Sequence, residues 1–177
     1  MKKYVIVSAV GRDRPGFVNR ITHAVHELGG NIEIQRSTRM ASEFAMLVLL
    51  SIEADGTEDA IRVITGLREG DVFVGAREAL SAPEERPRGA ETAEITASGA
   101  DQPGIIDAVT LLLFQHNVNI ESMDYDIDSA PFTGEHLFRM KATVAIPDGV
   151  DQAALRDKLQ DMEAEWNFDM AFRCQAE

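Results

Sequence analysis

The sequence Asp-x-Pro-Gly occurs twice in the chain, each time between a stretch typical of a strand and a stretch typical of a helix. The first copy is Asp13–Gly16 and the second, 88 residues later, is Asp101–Gly104. At the same interval Asn31-Ile32-Glu33 matches Asn119-Ile120-Glu121, and Gly11 matches Gly99. One short motif carries little weight, but two copies with the same sequence downstream indicate an internal duplication. The chain is therefore predicted to contain two versions of one folding unit.

Hydrophobic periodicity in the first half predicts the order β-α-β-β-α-β. Strands are predicted at residues 3–11, 31–40, 44–52 and 72–74, and helices from about Pro15 to Leu28 and from Thr57 to Gly70. Gly29-Gly30 is expected to end the first helix in a left-handed turn. Residues 44–52 are apolar almost throughout, so periodicity favours a central strand there but leaves a buried helix open.

The second half repeats this order. Strands are predicted at residues 92–99, 118–127, 135–146 and 167–173, and helices at 104–116 and 151–165. Asn117 stands where the first half has Gly29, and Asn tolerates the same left-handed conformation. Aligning Glu43 with Glu135 predicts four extra residues in the second hairpin. Leu111 and Phe114 lie outside the apolar stripe of their helix, so this helix is expected to pack against the other unit or a second chain.

The domain organisation follows from the duplication. We predict domains at residues 1–80 and 92–177, joined by a linker at 81–91 that contains Pro83, Pro87 and Gly89 among charged residues. Two β-α-β halves sharing one sheet form the ferredoxin-like arrangement. The predicted fold class is therefore α+β, with two βαββαβ units that each have a four-stranded antiparallel sheet and two helices on one face.

Composition and charge exclude several classes of protein. The formal net charge is −13, which argues against direct nucleic-acid binding because phosphate contacts need clustered Lys and Arg. No apolar run reaches the roughly 18 residues of a membrane helix, and the N-terminus has no signal-peptide pattern. Cys174 is the single cysteine, so no intramolecular disulfide can form. A cytoplasmic location is expected.

The repeated loop has two physical interpretations. Pro is favoured at the first position of a helix, and the following Gly lets a ligand approach the backbone. The first N–H groups of a helix lack partners and attract carboxylates. Asp13 and Asp101 could cap these N–H groups or lie beside a bound ammonium group. The sequence therefore allows either a small amino-acid site or only a capped helix start.

Other reactive side chains form no recognisable catalytic or metal-binding set. His23 and His26 have a metal-ligand spacing, but they fall on the polar face of the helix without further ligands. Cys174 has no His or Asn near it in sequence, and no Ser lies in a nucleophile motif. We therefore expect no enzyme activity, no metal and no cofactor.

The element order, the two Asp-x-Pro-Gly loops and the two Asn residues resemble tandem ACT domains, and more specifically the glycine cleavage system transcriptional repressor family. The resemblance covers the whole chain apart from the linker. It implies that a small amino acid, glycine or serine, binds near the loops where paired domains meet. The positions it implies are Asp13, Arg14, Pro15, Gly16, Phe17 and Asn31 in the first unit, and Asp101, Gln102, Pro103, Gly104, Ile105 and Asn119 in the second. Arg14 differs from Gln102, so the two sites are expected to be unequal.

Two hypotheses for function remain open. The first is a regulator that senses an amino acid and controls a protein partner such as a transcription factor, in the regulation of glycine and one-carbon metabolism that the resemblance implies. The second is a constitutive protein-interaction module that binds no ligand. The sequence contains no helix-turn-helix, so repression would act through another protein. The paired domains of the family also allow a homodimer.

Overall fold

The computed structural model describes residues 1–80, 90–129 and 134–174. The chain divides into two compact units, Met1–Glu85 and Arg86–Glu177. Most of the predicted linker, residues 81–89, lies outside the described residues. The first strand of the second unit begins at Glu91, one residue before the predicted start of that domain.

The first unit has the predicted order β-α-β-β-α-β. Its elements are β1 (Lys2–Arg12), α1 (Phe17–Glu27), β2 (Asn31–Met40), β3 (Glu43–Glu53), α2 (Thr57–Thr65) and β4 (Phe73–Glu78), with a short 3₁₀ turn at Ala54–Gly56. The strands form one antiparallel sheet in the order β2-β3-β1-β4. The predicted end of α2 at Gly70 is wrong, because the helix ends at Thr65 and Gly70 lies in a turn closed by pairing of Glu69 with Val72.

The second unit repeats this architecture. Its elements are β5 (Glu91–Ala100), α3 (Ile105–Gln115), β6 (Asn119–Ser129), β7 (His136–Ile146), α4 (Gln152–Trp166) and β8 (Phe168–Cys174). The strand order β6-β7-β5-β8 is again antiparallel. The predicted fold class is confirmed by these two four-stranded sheets, and the apolar run at 44–52 is a strand and not a helix.

Each unit has its own hydrophobic core between one face of its sheet and its two helices. In the first unit the core contains Val5, Val7, Ala9, Phe17, Ile21, Val25, Met46, Val48, Leu50, Ile52, Ala60, Ile64, Val72 and Val74. Alternate residues of β1 and β3 belong to this set, because successive side chains of a strand point to opposite faces of the sheet. Each of these strands therefore has one face against the helices and one face away from them. The second core is built in the same way, with Ile95, Val109, Leu113, Phe138 and Leu155 among its fully buried residues.

The first helix of each unit ends as the sequence predicted. Gly29 and Asn117 both have the left-handed conformation, with φ of 70° and 56°. In each unit the next N–H group donates to a carbonyl one turn back, Gly30 to Val25 and Val118 to Leu113, both at 2.9 Å. This is the hydrogen-bond pattern of the Schellman cap, which satisfies the last carbonyl groups of a helix.

The two hairpins differ by more than the sequence alignment indicated. Gly11 of β1 lies opposite Phe44, and its counterpart Gly99 lies opposite Phe138. These two Phe residues are 94 positions apart, against 88 for the two Gly residues, so the second hairpin is longer by six residues. The predicted alignment of Glu43 with Glu135, and the insertion of four that follows from it, are wrong. Strand pairing sets the register through side-chain packing, which a match of two letters does not detect.

The repeated glycine before each loop is required by close packing. A Cβ atom on Gly99 would lie 2.6 Å from the Cβ of Phe168, and one on Gly11 would lie 2.9 Å from the side chain of Val72. Both distances are shorter than van der Waals contact, so only glycine fits at these points of β1 and β5, where the chain that enters the last strand of each unit packs closely.

Candidate functional site

The first Asp-x-Pro-Gly loop leads directly into α1. Gly16 has φ of 87° and is the N-cap residue, and no side chain caps the helix. The carboxylate of Asp13 instead lies 3.2 Å from the Nε atom of Arg39 on β2. The interpretation of Asp13 as a helix cap is therefore wrong, because an ion pair with the sheet takes its side chain away from the helix end. The N–H group of Phe17 donates to the carbonyl of Arg14 at 3.2 Å, so the N–H groups of Val18 and Asn19 are the ones in the first turn of α1 that a ligand could reach.

An open cavity of about 440 Å³ lies over this loop and the first turn of α1. It is lined by Asp13, Arg14, Gly16, Phe17, Val18, Asn19, Thr22 and Phe44. Four of the residues implied by the family resemblance are among these, whereas Pro15 and Asn31 are not. Sequence reasoning missed Asn19, Thr22 and Phe44 as residues of the cavity.

The charged side chains at this cavity carry both signs. Arg14 and Arg20 both pair with Glu69, Arg14 at 3.6 Å. Asp13 is 40 % exposed in spite of its ion pair with Arg39, so its carboxylate can still accept hydrogen bonds from a ligand. A guanidinium, a carboxylate and helix N–H groups at one cavity are suited to a molecule that has a carboxylate and an ammonium group.

In the second unit the corresponding carboxylate, that of Asp101, already accepts a hydrogen bond from a side chain of the protein. Tyr125 donates a hydrogen bond of 2.7 Å to Oδ1 of Asp101. Burial of the phenol, together with this hydrogen bond and the negative charge of Asp101, raises the pKa of Tyr125 to about 12. Gly104 has φ of 98° at the start of α3, where no side chain caps the helix. Asp101, like Asp13, does not act as the predicted cap.

The rest of the second loop is held by the end of α4. Nε2 of Gln102 donates to the backbone carbonyl of Trp166 at 3.1 Å. A Cβ atom on Gly104 would lie 3.4 Å from Cη2 of the Trp166 ring, whereas one on Gly16 would meet nothing within 4 Å. The space next to Gly16 is therefore open, whereas the equivalent space next to Gly104 is filled by the indole of Trp166. Ile105, the next residue, is buried in the core of the second unit.

The two Asn residues begin β2 and β6, just before a β-bulge in each strand. In the first unit Nδ2 of Asn31 donates to Glu33 at 3.1 Å, and the Ser51 hydroxyl donates to the same carboxylate oxygen at 2.6 Å. The hydrogen bond from Ser51, followed by that from Asn31, lowers the pKa of Glu33. Asn119 lies opposite Ala145 where Asn31 lies opposite Ser51, so the second unit has no hydroxyl at that position.

No cluster of three or more His, Cys, Asp or Glu side chains with the geometry of a metal site occurs in residues 1–80, 90–129 and 134–174. Helices long and apolar enough to span a membrane are also absent from those residues. Nδ1 of His116 lies 2.9 Å from the carbonyl of Leu112 in the preceding turn.

Comparison with known proteins finds similarity to the same family that the two Asp-x-Pro-Gly loops resemble. Residues 3–70 match the family model of the ACT domain. The chain is 28% identical over 169 residues to the glycine cleavage system transcriptional repressors of Escherichia coli (strain K12) and Shigella flexneri, over 93% of this chain and 86% of each relative.

Solved structures support the fold over the whole chain. The crystal structure of an unknown protein from Galdieria sulphuraria is 28% identical, with a TM-score of 0.84 over 99% of this chain and 100% of that one. A candidate glycine cleavage system transcriptional repressor has a TM-score of 0.67 at 18% identity, over 100% of this chain and 99% of that one. The first unit thus matches the ACT domain, and the chain over nearly its whole length is similar to the glycine cleavage system transcriptional repressors.

Proposed function

We propose that the protein is a non-enzymatic, cytoplasmic regulator that binds a small amino acid at the cavity over the first Asp-x-Pro-Gly loop. Ligand binding changes its affinity for a protein partner such as a transcription factor. The observation that carries this proposal is the presence of both Asp13 and Arg14 in the lining of an open cavity where α1 begins without a side-chain cap. A ligand that binds the two states of the regulator unequally shifts the partner equilibrium by the same free energy.

The geometry indicates how the ligand would be oriented. Its carboxylate would face Arg14 and the first N–H groups of α1, and its ammonium group would face Asp13. Gly16 has no side chain and nothing within 4 Å of its Cβ position, so the ligand backbone can approach closely. Glycine is the first expected ligand, because the relatives are named for the glycine cleavage system, and serine is the second, from the family resemblance alone.

Calorimetry and thermal unfolding with a panel of amino acids test the proposal. A ligand at 100 times its Kd should raise the free energy of unfolding by about 2.7 kcal/mol. Arg14→Ala should weaken binding by at least about 10-fold, since it removes a charged hydrogen-bond donor. Gln102→Ala, the matched change in the second unit, should leave binding at the first loop unchanged.

Steric blocking needs a position other than Gly16. Its φ of 87° makes any side chain there strained whatever the space, so a loss of binding in a Gly16 variant would be ambiguous. Thr22→Phe places a large ring in the cavity from the helical side and should abolish binding without backbone strain. If no amino acid binds the wild type, or if Arg14→Ala and Thr22→Phe bind normally, the constitutive interaction module becomes the better account.

A further inference from the structure

The sheet face of the first unit that points away from its helices is largely apolar. Three rows of side chains cross it from β2 through β3 and β1 to β4: Ile34, Leu49, Ile6 and Arg77; Arg36, Leu47, Ser8 and Gly75; Thr38, Ala45, Val10 and Phe73. Val10, Leu47 and Phe73 are 44%, 48% and 55% exposed. We call these twelve positions the open face of the first unit. Clustered exposed apolar side chains on a sheet mark an interaction surface.

The second unit shows that the fold does not require an apolar open face. Its corresponding rows are Ser122, Thr143, Glu94 and Arg173; Asp124, Lys141, Thr96 and Ala171; Asp126, Arg139, Ser98 and Asp169. Apart from Ala171, these rows carry only charged and hydroxyl side chains, and they contain no large apolar residue. The apolar side chains in the first unit are therefore specific to that unit.

Three arginines that form no ion pair with a described carboxylate lie around the open face. Arg36 and Arg77 lie on it at its two edges, and each donates only to a backbone carbonyl. The guanidinium carbon of Arg68 lies 4.8 Å from the ring centre of Phe73, and its Nε donates to a backbone carbonyl. No carboxylate among the described residues forms an ion pair with any of the three. The surface is thus apolar in its middle with arginines at its two edge strands, and Glu43 lies on the same face at the start of β3, opposite Arg12.

The net charge of the chain is concentrated in the other half. Residues 1–80 have ten basic and eleven acidic side chains, whereas residues 81–177 have seven and nineteen, so formal charges of −1 and −12 make up the total of −13. The second half is therefore the natural electrostatic complement of the arginines on the first.

The second unit also carries exposed apolar side chains, on α3. Leu111 is 49% exposed and Phe114 is 78% exposed, and Asp107 lies on the same side of the helix by its spacing. Neither side chain belongs to the buried core of its own unit. An exposed Phe next to a Leu is the kind of anchor found at the centre of protein interfaces.

We propose that the open face of the first unit is the docking surface for α3 of a second copy of the chain. Two copies would then exchange the contact reciprocally, with each open face holding the other copy's Leu111 and Phe114, in a closed two-fold dimer. Direct packing of two open faces is disfavoured, because Arg36, Arg68 and Arg77 would meet their own counterparts. Docking of α3 instead brings an acidic unit to these arginines.

Sedimentation equilibrium on the full chain tests the proposal. The wild type should be a dimer, and Phe114→Ser and Leu47→Ser should each raise the dimer Kd by at least about 10-fold. Both positions are at least 48% exposed, so the circular dichroism spectrum should remain that of the wild type. Ile127→Ser is the matched control, since Ile127 is 50% exposed but lies on neither surface.

A charge exchange distinguishes the reciprocal dimer from other assemblies. Arg36→Glu and Asp107→Arg should each weaken self-association. An equimolar mixture of the two variants should form a heterodimer, because one of its contacts is native and the other has both charges reversed. A monomeric wild type, or a dimer unaffected by Phe114→Ser, would overturn the proposal. So would binding of a different acidic protein to the open face with no self-association.

Discussion

Tyr125 and Asp101 are linked by a hydrogen bond of 2.7 Å from the phenol to the carboxylate. Tyr125 is also stacked on Phe138, with ring centres 5.6 Å apart. The second Asp-x-Pro-Gly loop is thus tied to β6 and, through the aromatic pair, to the core of its unit. In the first loop the Asp carboxylate forms an exposed ion pair with Arg39 instead of accepting a hydrogen bond from a partly buried tyrosine, so the second loop is expected to be the more rigid of the two.

The Tyr125 hydroxyl should give a pH dependence at high pH. Its pKa in the folded protein is about 12 against an ordinary value of 10.0, so the folded state disfavours ionisation. Its contribution to the free energy of unfolding is therefore complete below pH 10 and is lost as the pH rises through about 12. Tyr125→Phe should cost about 1 kcal/mol at neutral pH and remove the tyrosinate absorbance that appears near pH 12. Persistence of that absorbance in the variant would contradict the assignment.

The Glu33 carboxylate should give the opposite dependence at low pH. Hydrogen bonds from Ser51 and Asn31 lower its pKa below 4.5. The stability it contributes is therefore present above pH 4.5 and lost as the pH falls through the lowered pKa. Ser51→Ala should raise the pKa of Glu33, as measured by NMR titration of the carboxyl carbon. Ser37→Ala, on the same strand as Glu33, is the control and should leave that titration unchanged.

The equivalent residues Phe44 and Phe138 should differ in their effect on stability. Phe138 is fully buried between Tyr125 and Phe168, whose ring centre is 5.5 Å away. Phe138→Ala should therefore lower the free energy of unfolding by about 4 kcal/mol. Phe44 is half-buried beside the cavity and has one edge contact, to Phe17 at 5.4 Å. Phe44→Ala should cost less than half as much in chemical denaturation, and equal costs would show that the two positions are packed alike.

The sequence predicted those features that depend on local patterns. The alternation in β1, the helical stripe of α1 and the left-handed cap at Gly29 or Asn117 each depend on a few neighbouring residues. The duplication then extended the same prediction to the second half. The fold class and the order of all four helices and eight strands followed from these local signals.

Features that depend on distant residues could not be predicted. The hairpin register depends on which residues lie opposite Gly11 and Gly99. Matching Glu43 to Glu135 by residue type alone gave an insertion of the wrong length. A carboxylate after a strand can bond to the next helix or to a neighbouring strand, and only the fold decides between them. Gln102 donates to the carbonyl of Trp166, which is 64 positions away in sequence. A single sequence does not indicate such a contact, so it could not predict that Trp166 partly fills the space at the second loop.

Replacing Trp166 should open the second loop to a ligand. The indole lies in the space above Gly104 that is empty above Gly16, so the wild type should bind one amino acid per chain and Trp166→Ala should bind two. The hydrogen bond from Gln102 goes to the backbone of Trp166, and the truncated variant can therefore keep the loop in position. Calorimetric stoichiometry is the measurement, with Met162→Ala on the same helix as the control for lost apolar packing.

The fluorescence of this residue gives a second readout, because Trp166 is the only tryptophan in the chain. Ligand binding at the first loop of the wild type should leave its emission unchanged, since in this interpretation the indole contacts the second loop alone. A change in emission that follows the calorimetric titration would mean that the ligand binds beside Trp166. That result, or a stoichiometry of one in Trp166→Ala, would show that the indole does not decide which loop is occupied.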